Sequence, residues 1–238
     1  MENKKHNQLN TSASIIIGSI IIGVSIVIGM SRMGKSNISI DPEKIFQGRA
    51  FSKNEMLMGS TGDDVIFLTY TDTECPFCKI FENGTVSKIR DDYKGKIGFA
   101  TRKYPLPMHP QATIESLASL CAREQGGVTV YDKYNQEIFA RTKSNNGFDI
   151  NQIGNVMTEI ATNLKLDINK FNTCQSASTT KAMLQADIND GTSAGVEGTP
   201  YSLVMVRRGS DYQIMSRING ARDYDYVAKA IDLAIKYK

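Results

Sequence analysis

Val65-Ile66-Phe67-Leu68-Thr69-Tyr70-Thr71-Asp72-Thr73-Glu74-Cys75-Pro76-Phe77-Cys78 is the stretch that decides the fold. Residues 65–70 form a short apolar run rich in β-branched and aromatic side chains, which suits a buried strand. Asp72, Thr73 and Glu74 end it. Pro76 then stands where a helix can begin, because a first-turn N–H would lack a partner anyway. Phe77, Ile80, Phe81, Val86 and Ile89 continue at helical spacing. Gly95 closes that helix, and residues 97–100 read as a second strand. The unit is strand–helix–strand with a C-x-x-C pair at the helix start. Two intervening residues there let the sulfurs approach bonding range. They also leave Cys75 beside unsatisfied N–H groups and the positive end of the helix dipole, both of which favour a thiolate. Cys78, inside the first turn, is expected to be more buried. One thiolate to attack and a second thiol to resolve is what disulfide exchange requires.

Two plainer roles compete for the pair. A C-x-x-C can be half of a zinc site, but the other two cysteines, Cys121 and Cys174, are isolated, and no second C-x-x-C or H-x-x-x-H exists. It can also be a purely structural disulfide. The strand before it and the helix after it favour the redox reading.

Downstream, the pattern turns helical over residues 111–125, 131–141, 153–164 and 181–190. A strand crossover needs a dozen or so residues. The stretch from about 107 to 190 is far longer, so it reads as a helical insertion packed on the sheet. After Pro200, residues 202–206 and 213–218 read as a hairpin across Arg208-Gly209-Ser210-Asp211, and 223–237 as a final amphipathic helix. The fold class is α/β.

The chain of 238 residues is 41% apolar and 22% charged, ordinary for a globular protein. A net charge of +3, with no basic cluster interleaved with stacking aromatics, gives no warrant for a nucleic-acid partner. Two histidines, His6 and His109, are too few for a His-rich metal site. Residues 11–31 carry no charge and are largely aliphatic; as a helix they reach about 31 Å, enough for a hydrocarbon core of about 30 Å. Lys4 and Lys5 precede them, as in a cytoplasmic N-terminus, while Arg32 and Lys35 follow and weaken the asymmetry. A cleaved signal peptide is the alternative, but no small-x-small cleavage site follows. The expected organisation is a cytoplasmic N-terminus and transmembrane signal anchor over 1–33, a tether over 34–54 with a short helical piece near 42–46, and a catalytic domain over 55–238.

The segment from Met58-Gly59-Ser60 to Cys75-Pro76-Phe77-Cys78 resembles the opening of the DsbA-like thiol–disulfide oxidoreductases of the thioredoxin superfamily. Tyr104-Pro105-Leu106, His109 and Ala112 resemble the family's segment before its first inserted helix, and Leu120 to Gly126 its next block. Gly195-Val196-Glu197-Gly198-Thr199-Pro200 resembles the loop that carries the superfamily's cis-proline. The resemblance covers about residues 55–238. It implies a thioredoxin core with a helical insertion, Cys75 as attacking and Cys78 as resolving cysteine, and a substrate groove shaped by Thr199, Pro200, Pro76 and Phe77. Similar second cysteine pairs in some of these proteins imply a structural disulfide between Cys121 and Cys174; free buried thiols are the alternative. His109 is expected to cap or pack locally rather than to catalyse.

Two departures bear on strength as an oxidant. The family often has an acidic residue six positions before the first cysteine; here it is Thr69. Phe77 stands where strong oxidants carry a histidine, and Phe cannot stabilise a thiolate by charge. Asp72 and Glu74 are expected at the surface, opposing a Cys75 thiolate. The shift of Cys75 is therefore expected to be modest and the oxidant a moderate one. The sequence implies protein thiol and disulfide substrates, a quinone-linked membrane partner if the protein is an oxidase, attachment to the membrane by the N-terminal helix with the catalytic domain outside the cytoplasm, and no cofactor or metal. A reductase or isomerase, and a redox-inert binding protein of the same fold, are the other readings.

Overall fold

The strands are Met56–Met58 (β1), Val65–Thr71 (β2), Gly98–Lys103 (β3), Tyr201–Arg208 (β4) and Asp211–Asn219 (β5). The helices are Pro76–Phe81 (α1), Ser87–Asp92 (α2), Ala112–Arg141 (α3), Ile153–Asn163 (α4), Ile168–Ser176 (α5), Ser178–Ala194 (α6) and Tyr224–Lys236 (α7). They come from a computed structural model that describes residues 44–145 and 147–238. The expected N-terminal anchor over 11–31 lies outside the described residues, as do positions 34–43 of the tether. Among the described residues no helix is long and apolar enough to cross a membrane.

One sheet runs in the order β1-β3-β2-β4-β5. β2 is parallel to β3 and antiparallel to β4. All seven residues of β2 are buried, as expected of a strand covered on both faces. Its alternate side chains serve two cores. Val65 and Phe67 join Phe81, Ile89, Val227 and Ile231 beneath α1, α2 and α7. Ile66, Leu68 and Tyr70 join Met205, Ala194 and Phe46 on the other face. Gly191 of α6 lies against the Tyr104 and Tyr70 rings, where any side chain would collide, so the helix comes close enough to seal that face.

The insertion between β3 and β4 has a core of its own, including Cys121, Tyr134, Ile138, Met157, Ile160 and Phe171. The periodic stretches 111–125 and 131–141 form one long helix with a break at Gly127, whose φ of 69° favours glycine. α5 carried too few apolar positions to be read from the pattern. It starts at Asp167, whose side chain accepts the Lys170 N–H.

Of the helical piece expected near 42–46, the described residues 44–46 pair with the sheet instead. Ile45 bridges to Gln213, and the Phe46 N–H donates to the Tyr212 carbonyl at 2.7 Å. Arg49 then joins a buried ion network. Its guanidinium meets Glu55 at 2.5 Å and also Asp187, while Arg102 meets Glu55 at 2.8 Å and Asp190 at 2.9 Å. The network ties the approach to β1, strand β3 and insertion helix α6 together.

Candidate active site

The turn into α1 is built by Asp72. Its Oδ1 accepts the Glu74 N–H at 2.8 Å, an Asx-turn that reverses the chain after β2. Cys75 follows in extended geometry as the N-cap, and Pro76 opens the helix. Both cysteines are unbonded thiols in this structure. Cys75 is 4% exposed and Cys78 fully buried. Phe77, at 61% exposed, and Ile80, at 64%, present apolar surface beside them.

The two sulfurs are polarised in opposite directions. The Cys75 thiol is lowered from 9.0 to about 6, chiefly by a hydrogen bond from the Cys78 thiol. Burial opposes the shift, while the backbone N–H groups of Cys78 and Phe77 and the Thr199 hydroxyl assist it. The same hydroxyl also acts on Cys78, where burial outweighs it. Burial pushes Cys78 well above the ordinary thiol range. Thr199-Pro200 is the cis peptide among the described residues, and the Cys75 thiol donates to the Thr199 carbonyl at 3.2 Å. The structure thus gathers Cys75, Pro76, Phe77, Cys78, Thr199 and Pro200 in one place. Cys121 and Cys174 are elsewhere, joined by an S–S bond of 2.03 Å inside the insertion.

Asp72 and Glu74 correct the expectation of a surface position: both are fully buried. The Asp72 Oδ2 accepts the Leu106 N–H at 2.7 Å and faces His109 Nδ1 at 2.8 Å. Glu74 Oε2 accepts the Gln111 N–H at 2.7 Å, at the start of α3. The insertion folds over the turn and supplies partners for both carboxylates, so they do not confront Cys75 as free surface charges. The lowering of Cys75 to about 6 accordingly exceeds the modest shift that Phe77 and two opposing carboxylates suggested.

Beneath Cys78 lie charges that the sequence did not single out. Lys103, at the end of β3, is fully buried; burial lowers its ammonium to about 8, against Glu115 and Glu82. Burial raises the carboxyls of Glu82 and Glu115 each to about 7. The Lys103 ammonium donates to Asn135 Oδ1. At Thr69, where the family often has an acid, a hydroxyl pair with Ser202 spans 3.1 Å. A cavity of about 740 Å³ reaches this region; Thr71, Glu82, Thr101 and Tyr131 line it, each with a buried polar atom lacking a protein partner, as in a hydrated space. Cys75 does not line that cavity; the attacking sulfur belongs to the rim formed with Thr199.

A family model described as Thioredoxin matches residues 52–213. Among solved structures, DsbA2 of Pseudomonas aeruginosa is 21% identical, with a TM-score of 0.62 over 77% of this chain and 94% of that one. Wolbachia pipientis alpha-DsbA1 is 18% identical, with a TM-score of 0.65 over 79% and 94%. The thiol-disulfide exchange protein alpha-DsbA2 of the same organism is 20% identical, with a TM-score of 0.57 over 74% and 84%. No curated protein matches the chain.

Proposed function

Because the chain belongs to the thioredoxin family and has the DsbA-like fold with its helical insertion, we propose that it is a dithiol–disulfide oxidoreductase that oxidises protein thiols through Cys75 and Cys78. The observation that carries this reading is the opposite polarisation of the two sulfurs. In the oxidised form a substrate thiolate attacks the Cys75 sulfur. The Cys75–Cys78 bond breaks, and Cys78 leaves and takes up a proton. A second substrate thiolate then attacks the substrate sulfur of the mixed disulfide, and Cys75 leaves as a thiolate. The substrate loses two electrons and the enzyme gains them. Lys103 interacts with the buried Cys78, which must exchange a proton in each cycle, and Glu82 and Glu115 are set against Lys103 as further titratable groups. The Thr199 backbone and the exposed Phe77 offer an extended peptide a polar edge and an apolar contact.

A leaving thiolate near 6 lies between a free thiol at about 8.5 and the strongest oxidants at about 3.5. The expected reduction potential is therefore below about −120 mV. Alkylation of Cys75 in the reduced protein tests this. Its rate is expected to rise through pH 6 and level off above it, since only the thiolate reacts. At pH 7 the thiolate fraction is then about 90%, against about 3% for a free thiol. A midpoint above pH 8 would remove the argument.

We further propose that residues 11–31 anchor the chain in a membrane, with the catalytic domain outside the cytoplasm and a quinone-linked membrane protein reoxidising it. The uncharged run behind Lys4 and Lys5 supports the anchor, and a Cys121–Cys174 bond suits an oxidising compartment. Closing that 53-residue loop limits the unfolded chain, a stabilisation of about 4 kcal/mol at most. Protease added to cells stripped of any outer barrier is expected to digest the C-terminal domain; protection until lysis would reverse the orientation.

A further inference from the structure

The carboxylates of Asp72 and Glu74 are buried immediately ahead of Cys75. The Asp72 backbone engages both cysteines: its carbonyl accepts the Cys75 N–H at 3.2 Å, and its own N–H points at Cys78 Sγ at 3.5 Å. Charge at this position would raise the pKa of a neighbouring thiol. His109 stands against it. The ring is 8% exposed, with Nδ1 at 2.8 Å from Asp72 Oδ2 and Nε2 at 3.2 Å from Asn145 Oδ1. Both ring nitrogens face oxygen acceptors, and only the doubly protonated ring donates to both. Asp72 cannot turn away from the ring, because the Glu74 and Leu106 N–H groups hold its two oxygens.

We propose that His109, held as an imidazolium between Asp72 and Asn145, is a positioning residue: it is the counter-charge that lets two buried carboxylates seat the C-P-F-C turn without destabilising the Cys75 thiolate. It supplies, from the insertion, the positive charge that Phe77 cannot.

The groups that face or flank this ring are Asp72 and Glu74 from the turn, Cys75 at the helix start and Asn145 from the loop after α3. That loop is itself drawn in by the Lys79 ammonium, which donates to the Thr142 carbonyl at 3.3 Å. Burial of His109 disfavours its charge, but Asp72, Asn145 and the Cys75 thiolate outweigh that and raise its pKa above the ordinary value. If the Cys75 thiolate favours charged His109, charged His109 favours the thiolate by the same factor.

The inference rests on the disulfide exchange proposed above, and the test separates the two. The His109 ring protons are followed by NMR against pH in the oxidised and in the reduced protein. The His109 pKa is expected to be higher in the reduced form, which carries the thiolate. In His109→Gln, ultraviolet thiolate absorbance is expected to show Cys75 binding its proton about fivefold more tightly, and the equilibrium with glutathione at about pH 8, where Cys75 is almost wholly thiolate, to move toward the disulfide by nearly the same factor. Adding Asp72→Asn to His109→Gln is expected to restore the thiolate. A His109 pKa equal in both redox states overturns the proposal, as does a His109→Gln protein within twofold of wild type on both measures. Should His109→Gln fail to fold, the titration of the wild-type protein decides alone. Absence of any exchange between glutathione and the Cys75–Cys78 pair would instead remove the proposed function, and this inference with it.

Discussion

Replacing Cys75 by serine is expected to abolish turnover of a reduced, unfolded protein substrate; Cys78→Ser is expected to lose that turnover too, for want of the Cys75–Cys78 disulfide, but to keep the attack of Cys75 on a disulfide-bonded substrate. The difference follows from the two sulfurs' surroundings. Cys75 accepts the Cys78 thiol, two N–H groups and the Thr199 hydroxyl, so it carries the negative charge. At Cys78 burial and the neighbouring Cys75 sulfur outweigh the Asp72 N–H and the Thr199 hydroxyl, so it stays protonated until a mixed disulfide forms beside it. A hydroxyl at position 75 is not ionised near neutral pH and forms no bond to sulfur. With serine at 78 no Cys75–Cys78 disulfide forms; the Cys75 thiolate still attacks a substrate disulfide, expels one substrate thiolate and stays bonded to the other sulfur, and with no Cys78 to displace it these covalent complexes are expected to accumulate. Non-reducing electrophoresis and mass spectrometry read both outcomes. Full exchange by Cys75→Ser would show that the assignment of the attacking residue is wrong.

Arg102→Met is expected to cost the fold about 3–5 kcal/mol, because it leaves buried carboxylates with too little positive charge. The Arg102 and Glu55 side chains are both completely buried, and Asp190 is mostly so. Arg102 also donates to the Arg49 carbonyl at 3.0 Å and lies over the Phe51 ring at 4.9 Å. For a domain of this size that loss lowers the midpoint of thermal unfolding by roughly 10–15 °C. The penalty belongs to the stranded charge rather than to the lost bridge, so Glu55→Gln added to Arg102→Met is expected to recover part of it. Denaturant unfolding of the two variants measures the difference. A double variant less stable than Arg102→Met would refute that account.

The chemistry was legible where it is local. The apolar run into β2, the cysteine spacing and Pro76 are contiguous, and the strand and helix they suggest are present as β2 and α1. The hairpin of β4 and β5 and the helix α7 were legible for the same reason. Asp72 and Glu74 were misread because their partners, Leu106, His109 and Gln111, lie some 35 residues on, and nothing near the turn hints at a cover. Lys103 was missed because a strand ending Thr101-Arg102-Lys103 looks like one running out into solvent; the insertion buries it instead. Ile45 was read as helical, whereas the open edge of β5 recruits it.

The place of the insertion, between β3 and β4, fixes the order in which the domain is completed. A chain growing from its N-terminus carries Cys75 for 124 residues before the Thr199 carbonyl that shields it exists. It carries Cys121 for 53 residues before Cys174. The central strand pair closes later still, across the 133 positions from Thr69 to Ser202. Contacts of such separation form late, because loop closure costs entropy before any burial offsets it. Biosynthesis therefore passes through a stage in which Cys75 and Cys78 are uncovered and the sheet is unfinished. The last 40 or so residues end that stage: the same C-terminal hairpin that completes the sheet also places the loop over the reactive sulfur.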